Sequence, residues 1–121
     1  FTDPLREIDR EGYGRRYVEE HGLEITDAAG ARRKVHGMFS ALSFDEGRTW
    51  TQHRLLTPGP GERRLDGGGN TGRFISDATF AEPRGYLQAI QTPDGVIHLV
   101  SSRLHYQFNL AWLRTPTPAA E

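Results

Sequence analysis

The segment from His105 to Asn109 carries side chains that suit carbohydrate recognition. An imidazole, a phenol and an amide can exchange hydrogen bonds with sugar hydroxyls, while an aromatic ring stacks on a sugar face. The candidate binding residues here are therefore His105, Tyr106 and Asn109. The alternative hypothesis is an ordinary turn, in which Asn109 starts the next strand.

Other chemistries are weakly supported by the sequence. His36, His53 and His98 lack metal-ligand spacing, and the chain has no cysteine, so we expect no metal and no cofactor. The Gly- and Pro-rich stretch 57–72 lacks the Lys-Ser/Thr pair of a phosphate-binding loop. The interpretation that remains for this stretch is a connection between strands.

Composition narrows the class of partner. The 121 residues are 36% apolar and carry a formal net charge of −1. The chain as a whole therefore has no positive electrostatic field that would attract nucleic acid. The basic residues form short clusters that are interspersed with acids, as on a solvated surface. No apolar run approaches the roughly 18 residues of a membrane span. The sequence thus predicts neither a nucleic-acid partner nor a membrane span.

The alternation of apolar and polar residues predicts an all-β chain. Strands are expected at residues 23–26, 33–35, 37–43, 50–55, 86–92, 96–102 and 109–113. Turns are expected at residues 27–30, 93–95 and 104–107. We expect residues 1–22 to be an irregular lead-in, with a helical turn up to about residue 9 and an exposed loop at 15–20, and residues 115–121 to be a tail.

Eight residues beginning at Ser43 have the pattern Ser-x-Asp-x-Gly-x-x-Trp. The Asp45 carboxylate can accept hydrogen bonds from the backbone of a tight turn, and Gly47 can supply the positive φ that the turn needs. The Ser43 hydroxyl can close the base of the loop. Trp50 and Trp112 are expected to lie in the core.

This pattern resembles the Asp box of the sialidase-like β-propellers. The stretch from Gly85 to Leu99, with its Pro-Asp-Gly turn, is similar to the last blade of that family. The resemblance covers roughly residues 35–114. It implies that the chain is a single partial domain: the C-terminal two blades, each an antiparallel meander, of a six-bladed propeller. The two units would span residues 23–56 and 74–114, close to the ~40–50-residue period of propeller blades.

The resemblance also implies a catalytic chemistry. Enzymes of this family are retaining exo-sialidases in which a Tyr is the nucleophile, because a carboxylate nucleophile would be repelled by the acidic substrate. Tyr86 occupies the place of that nucleophile, and Arg73 and Arg84 are candidates for an arginine that binds the substrate carboxylate. The loop that carries Asp77 and Glu82 would line the central pocket, where either acid could bind substrate hydroxyls. Solvated loop charges or caps are the alternative for both.

Two other functions remain open at this stage. A non-catalytic propeller could bind carbohydrate or protein, and a propeller-type polysaccharide lyase could use Tyr106 and His105 for proton abstraction. The expected partners are a carbohydrate and the remaining blades, and a chain of two blades alone is expected to be marginally stable. A secreted or periplasmic location is what the resemblance suggests.

Overall fold

The computed structural model describes residues 13–57, 59, 61–68, 72–84 and 86–120. These residues are mostly β-strands in antiparallel sheets, with two short helices. The all-β prediction is therefore confirmed at the level of fold class. The helical turn expected before residue 10 lies outside the described residues.

Nine strands and two helices follow one another along the described chain. They are α1 (Tyr13–His21), β1 (Leu23–Thr26), β2 (Arg32–Val35), β3 (Phe39–Leu42), β4 (Thr51–Leu55), β5 (Arg63–Asp66), β6 (Arg73–Ser76), β7 (Gln88–Gln91), β8 (Ile97–Val100), β9 (His105–Phe108) and α2 (Leu110–Leu113). The strands pair as β1-β2, β3-β4, β5-β6 and β7-β8-β9, always between sequence neighbours and always antiparallel.

The β3-β4 hairpin has the internal hydrogen bonds expected of the Asp box. Asp45 Oδ1 accepts from the Thr49 backbone N–H at 2.8 Å, and Asp45 Oδ2 accepts from the Thr49 hydroxyl at 2.6 Å. The Ser43 hydroxyl accepts from the Gly47 N–H at 2.7 Å, and Gly47 has a φ of 87°. The roles predicted for these residues in the turn are confirmed. Trp50 is 56% exposed, so its placement in the core was wrong.

The exposed loop expected at residues 15–20 is instead part of α1. Val18 is buried there and packs against Phe80, with Tyr17 beside them. The Lys34 ammonium donates to the Glu19 carbonyl at 2.9 Å. Among the side chains of α1 that the structure describes, only Val18 is buried, so the sequence shows a weak helical period. The Tyr, Arg and Glu residues around it are compatible with a helix.

The connection expected at 57–72 contains a strand, β5. Each of its residues pairs with β6, from Arg63 opposite Ser76 to Asp66 opposite Arg73. The half-buried Leu65 lies opposite Phe74, which is fully buried. The sequence did not indicate this strand, because four residues give little alternation to detect and the segments on either side are rich in glycine.

The turn expected at 104–107 and the strand expected at 109–113 were both wrong. Residues 105–108 form β9, and the chain turns earlier, where the Ser101 N–H donates to the Leu104 carbonyl at 2.8 Å. Asn109 then caps α2, its side chain accepting from the Trp112 N–H at 2.9 Å. The three-stranded meander is kept: β7 and β8 lie within the ranges expected for them, and only the third strand is displaced, to residues 105–108.

Besides the contact of Val18 with Phe80, two larger buried clusters hold the described part together. The first joins β1, β2 and β4 with the segment after β6, through Ile25, Val35, Leu55 and Ala81. The second lies under the β7-β8-β9 sheet and contains Met38, Leu56, Leu99 and Leu113, with Trp112 and other half-buried residues packed against it. Trp112 thus borders the core, in part as predicted.

The tail after α2 is fixed to the first hairpins. The Thr117 hydroxyl accepts from the Leu55 N–H at 3.0 Å, and the Thr117 side chain is fully buried. The buried Asp27 accepts from Arg33 Nε at 2.7 Å, and the same guanidinium donates to the Pro118 carbonyl at 2.6 Å. Residues expected to be a simple terminus therefore contribute to packing.

Candidate functional site

A cavity of about 220 Å³ lies between the start of β3 and the segment that precedes β7. Backbone hydrogen bonds hold these two stretches side by side, from the Met38 N–H to the Glu82 carbonyl and from the Ala81 N–H to the His36 carbonyl, both at 2.9 Å. The lining residues are Gly37, Met38, Phe39, Glu82, Pro83, Arg84 and Leu87.

Gly37 makes the close approach of the two stretches possible. Its φ is 121°, and a Cβ at this position would lie 2.6 Å from the Ala81 carbonyl oxygen. A side chain is excluded both by the backbone conformation and by this contact. The wall of the cavity therefore depends on a glycine at residue 37.

Glu82 is the chemically distinctive residue of the cavity. It is only 3% exposed, and its Oε1 accepts a hydrogen bond of 2.7 Å from the Tyr106 hydroxyl. Its Oε2 is buried and has no hydrogen-bond partner among the described residues. A buried carboxylate oxygen left without a donor is costly and rare, so this atom is a natural acceptor for a bound ligand.

Tyr106 acts as a fixed donor in this pair. Burial, together with the hydrogen bond and the charge of Glu82, raises the pKa of Tyr106 well above its ordinary value of 10.0. The phenol therefore keeps its proton and holds Glu82 Oε1. This orients the carboxylate and leaves Oε2 to other donors, while it disfavours a phenolate at Tyr106.

The candidate arginines and Tyr86 differ in their relation to the cavity. Arg84 lines it. Tyr86 is 87% exposed, and its successor Leu87 lines the cavity, so the candidate nucleophile adjoins the cavity along the chain. The side chain of Tyr86 makes no hydrogen bond to the described residues, and its nucleophilic role stays a prediction. Arg73 begins β6 opposite Asp66 and is not a lining residue.

The remaining candidates have local structural roles. Asp77 Oδ1 accepts from the backbone N–H groups of Thr79 and Phe80, each at 2.9 Å, as a cap of its turn. Asn109 caps α2. His105 is exposed and lies on the face of β9 opposite to Tyr106. The structure thus brings together Glu82, Arg84 and Tyr106, but not the other polar candidates.

The sequence interpretation missed the wall formed by Gly37, Met38 and Phe39. Phe39 is 48% exposed and offers a ring surface at the cavity. Gly37, the first residue of the strand predicted at 37–43, was the available signal, since a glycine in a strand often marks a close backbone approach.

A second cavity, of about 280 Å³, lies between the first two hairpins. An ion pair between Arg32 and Glu24 forms part of its lining. Gln52, also in the lining, has a φ of 54° beside an irregularity in the β3-β4 register. None of the described residues that line it has a buried side-chain polar atom without a partner, so this cavity offers less to a ligand than the Glu82 cavity does.

In the part of the chain that the structure describes, no group of three or more His, Cys, Asp or Glu side chains could hold a metal ion. None of the described helices is long and apolar enough to cross a membrane. Comparison with protein-family models, with curated proteins and with solved structures finds no match to this chain.

Proposed function

We propose that this chain is part of a sialidase-like β-propeller and that the cavity at Glu82 binds carbohydrate. The observation that carries the proposal is the buried Glu82 Oε2, which has no hydrogen-bond partner among the described residues, while Tyr106 holds the other oxygen of the same carboxylate. The assignment to the propeller class rests on the Asp-box pattern that begins at Ser43 and on the turn chemistry around Asp94.

The cavity chemistry favours a ligand with several hydroxyl or amide donors. Glu82 Oε2 can accept from such a donor, and charge-assisted hydrogen bonds of this kind are among the strong ones. The half-exposed ring of Phe39 can stack on the apolar face of a sugar. The Arg84 guanidinium suits an acidic substituent. The volume is below that of sites for drug-sized ligands, as expected for a single sugar unit.

Retaining hydrolysis with Tyr86 as nucleophile is a second candidate function. The observation in its favour is that Tyr86 is highly exposed and directly precedes a lining residue, Leu87. An acidic sugar would be attacked more readily by a phenol than by a carboxylate. The lyase hypothesis receives less support, because His105 and Tyr106 lie on opposite faces of β9.

Binding is tested by titrating the full chain with N-acetylneuraminic acid and with methyl β-galactoside, observed by NMR. In Glu82→Gln, an amide N–H₂ can replace the acceptor Oε2 while Tyr106 keeps a partner. We expect affinity to fall at least about tenfold, the equivalent of one charged hydrogen bond. The matched control is Glu24→Gln, in the second cavity, which should bind as the unaltered chain does.

Equal affinity of both variants, or no detectable binding of either sugar to the unaltered chain, would contradict the binding proposal. Hydrolysis is tested separately with a fluorogenic N-acetylneuraminide. Tyr86→Phe should abolish release of the fluorophore and leave sugar binding measurable. Turnover that is unchanged in Tyr86→Phe would exclude the nucleophile role.

A further inference from the structure

Two imidazoles meet on the exposed face of the β7-β8-β9 sheet. His98 of β8 lies opposite Gln107, and His105 of β9 lies opposite Val100, so the two histidines are diagonal neighbours on one face. His98 Nδ1 lies 3.1 Å from His105 Nε2, and the ring centroids are 5.3 Å apart. This face is opposite to the one that carries Tyr106, so the pair is separate from the Glu82 cavity.

The separation of the two nitrogens matches that of two imidazoles on one metal ion. Metal–nitrogen bonds of about 2.0–2.1 Å, at angles of about 90–110°, place the two nitrogens about 2.9–3.4 Å apart. Across this contact one ring nitrogen donates its proton to the other. If the donor ring takes its other neutral tautomer, both facing nitrogens present lone pairs and no net proton is released.

The backbone fixes this separation before any ion arrives. Four residue pairs join β8 and β9, from Ile97–Phe108 to Val100–His105. The connecting turn is closed by the Ser101 N–H on the Leu104 carbonyl and by the Leu104 N–H on the Ser101 hydroxyl, at 2.8 and 3.1 Å. Only small rotations of the two rings are then needed for chelation.

We propose that His98 and His105 form a two-histidine chelate for a divalent late transition-metal ion, with copper(II) bound most tightly. Imidazole nitrogen suits copper, nickel and zinc, and the general affinity order of these ions places copper(II) first. The described residues supply no third His, Cys, Asp or Glu ligand, so water or a partner group fills the remaining positions. The ion would therefore be exchangeable.

The proposal is tested with copper(II) alone, added to the full chain without an affinity tag. Calorimetry should show one ion per chain, and electron paramagnetic resonance should show coupling to two imidazole nitrogens. His98→Ala and His105→Ala should each weaken binding at least about tenfold and leave one coupled nitrogen. His21→Ala is the matched control, since the His21 side chain is 59% exposed on α1, and it should bind as the unaltered chain does.

A second measurement does not depend on variants. In the unaltered chain, paramagnetic broadening of backbone amide signals by substoichiometric copper(II) should be centred on β8 and β9. Broadening centred elsewhere, equal affinity in all three variants, or no copper binding at millimolar concentration would overturn the proposal.

Discussion

The Tyr106 hydroxyl donates to Glu82 Oε1 over 2.7 Å, joining β9 to the segment that precedes β7 across 24 positions of sequence. This bond couples the candidate cavity to the cluster beneath the three-stranded sheet, because the Tyr106 ring packs against that cluster. The carboxylate is thus positioned by the core itself. A change at either residue should alter both stability and ligand binding.

Tyr106→Phe should lower the free energy of unfolding by about 1–3 kcal/mol, because Glu82 Oε1 would join Oε2 as a buried acceptor without a donor. Urea denaturation followed by circular dichroism measures this loss. Tyr17→Phe is the control, since the Tyr17 hydroxyl makes no hydrogen bond to the described residues. Equal stability of the two variants would show that the Tyr106–Glu82 bond contributes nothing net.

Because the pKa of Tyr106 is raised, the stability of Tyr106→Phe should also depend differently on pH in alkaline solution. The contribution of the protonated phenol is fully present below the unfolded-state value of 10.0 and is lost as pH rises above it, because the unfolded chain then releases the proton more readily. Stability should therefore fall less steeply above that pH in Tyr106→Phe than in the unaltered chain. If stability fell equally steeply with pH in the variant and in the unaltered chain, the raised pKa of Tyr106 would be contradicted.

Asp27 should control stability in acid. The hydrogen bond from Arg33, assisted by the Ala31 and Ala29 N–H groups, lowers the pKa of Asp27 below 3.8 despite its burial. Stability from this carboxylate is present above pH 3.8 and lost as pH falls through the lower, folded-state pKa.

Asp27→Asn should therefore be less stable at neutral pH and show a smaller further loss on acidification. Thermal unfolding between neutral pH and strong acid measures both effects. Asp66→Asn is a suitable control, because the ion pair of Asp66 with Arg103 is exposed and should contribute little. If stability fell as much on acidification in Asp27→Asn as in the unaltered chain, other carboxylates would determine acid unfolding.

Gly47→Ala tests the Asp-box turn. The backbone at Gly47 has a φ of 87°, and an added Cβ would meet nothing closer than the Trp50 ring at 3.8 Å. The cost is therefore conformational, about 1 kcal/mol, rather than steric. Gly61→Ala is the matched control, because a Cβ there meets no atom of the described residues within 4 Å and its φ is not positive. Denaturation midpoints that move equally in both variants would contradict this role.

Local turn chemistry explains which elements the sequence could predict. The hairpins closed by Asp45 and Asp94 were predicted well, because the side chains that stabilise each turn lie within a few residues of one another. The helix α1 and the strand β5 were missed because few apolar residues indicate a period: only Val18 is buried among the described side chains of α1, and only Leu65 is half-buried in β5.

The candidate site was predictable residue by residue but not as an arrangement. Glu82 and Tyr106 were both candidates, yet their contact depends on β9 starting at His105, where a turn had been expected. The same shift of register places His105 beside His98, a pairing that histidine spacing alone does not suggest. Both contacts depend on where β9 begins and on which of its residues pair with β8, and one sequence does not specify this register.

Thr117→Val should show that the tail after α2 is part of the folded unit. The valine methyl would replace the hydroxyl with little change of shape, but the buried Leu55 N–H would lose its acceptor. We expect a loss of about 1–3 kcal/mol in unfolding free energy, with faster hydrogen exchange at the Leu55 amide. The control is Thr26→Val, at an exposed position of β1 whose side chain makes no hydrogen bond to described residues. If the Leu55 amide stayed protected from hydrogen exchange and both variants were equally stable, the tail would not contribute to the stability of the folded unit. Thr117 accepts hydrogen bonds from the Leu55 N–H and from the Ala28 N–H, so we expect instead that loosening the tail weakens the first two hairpins together.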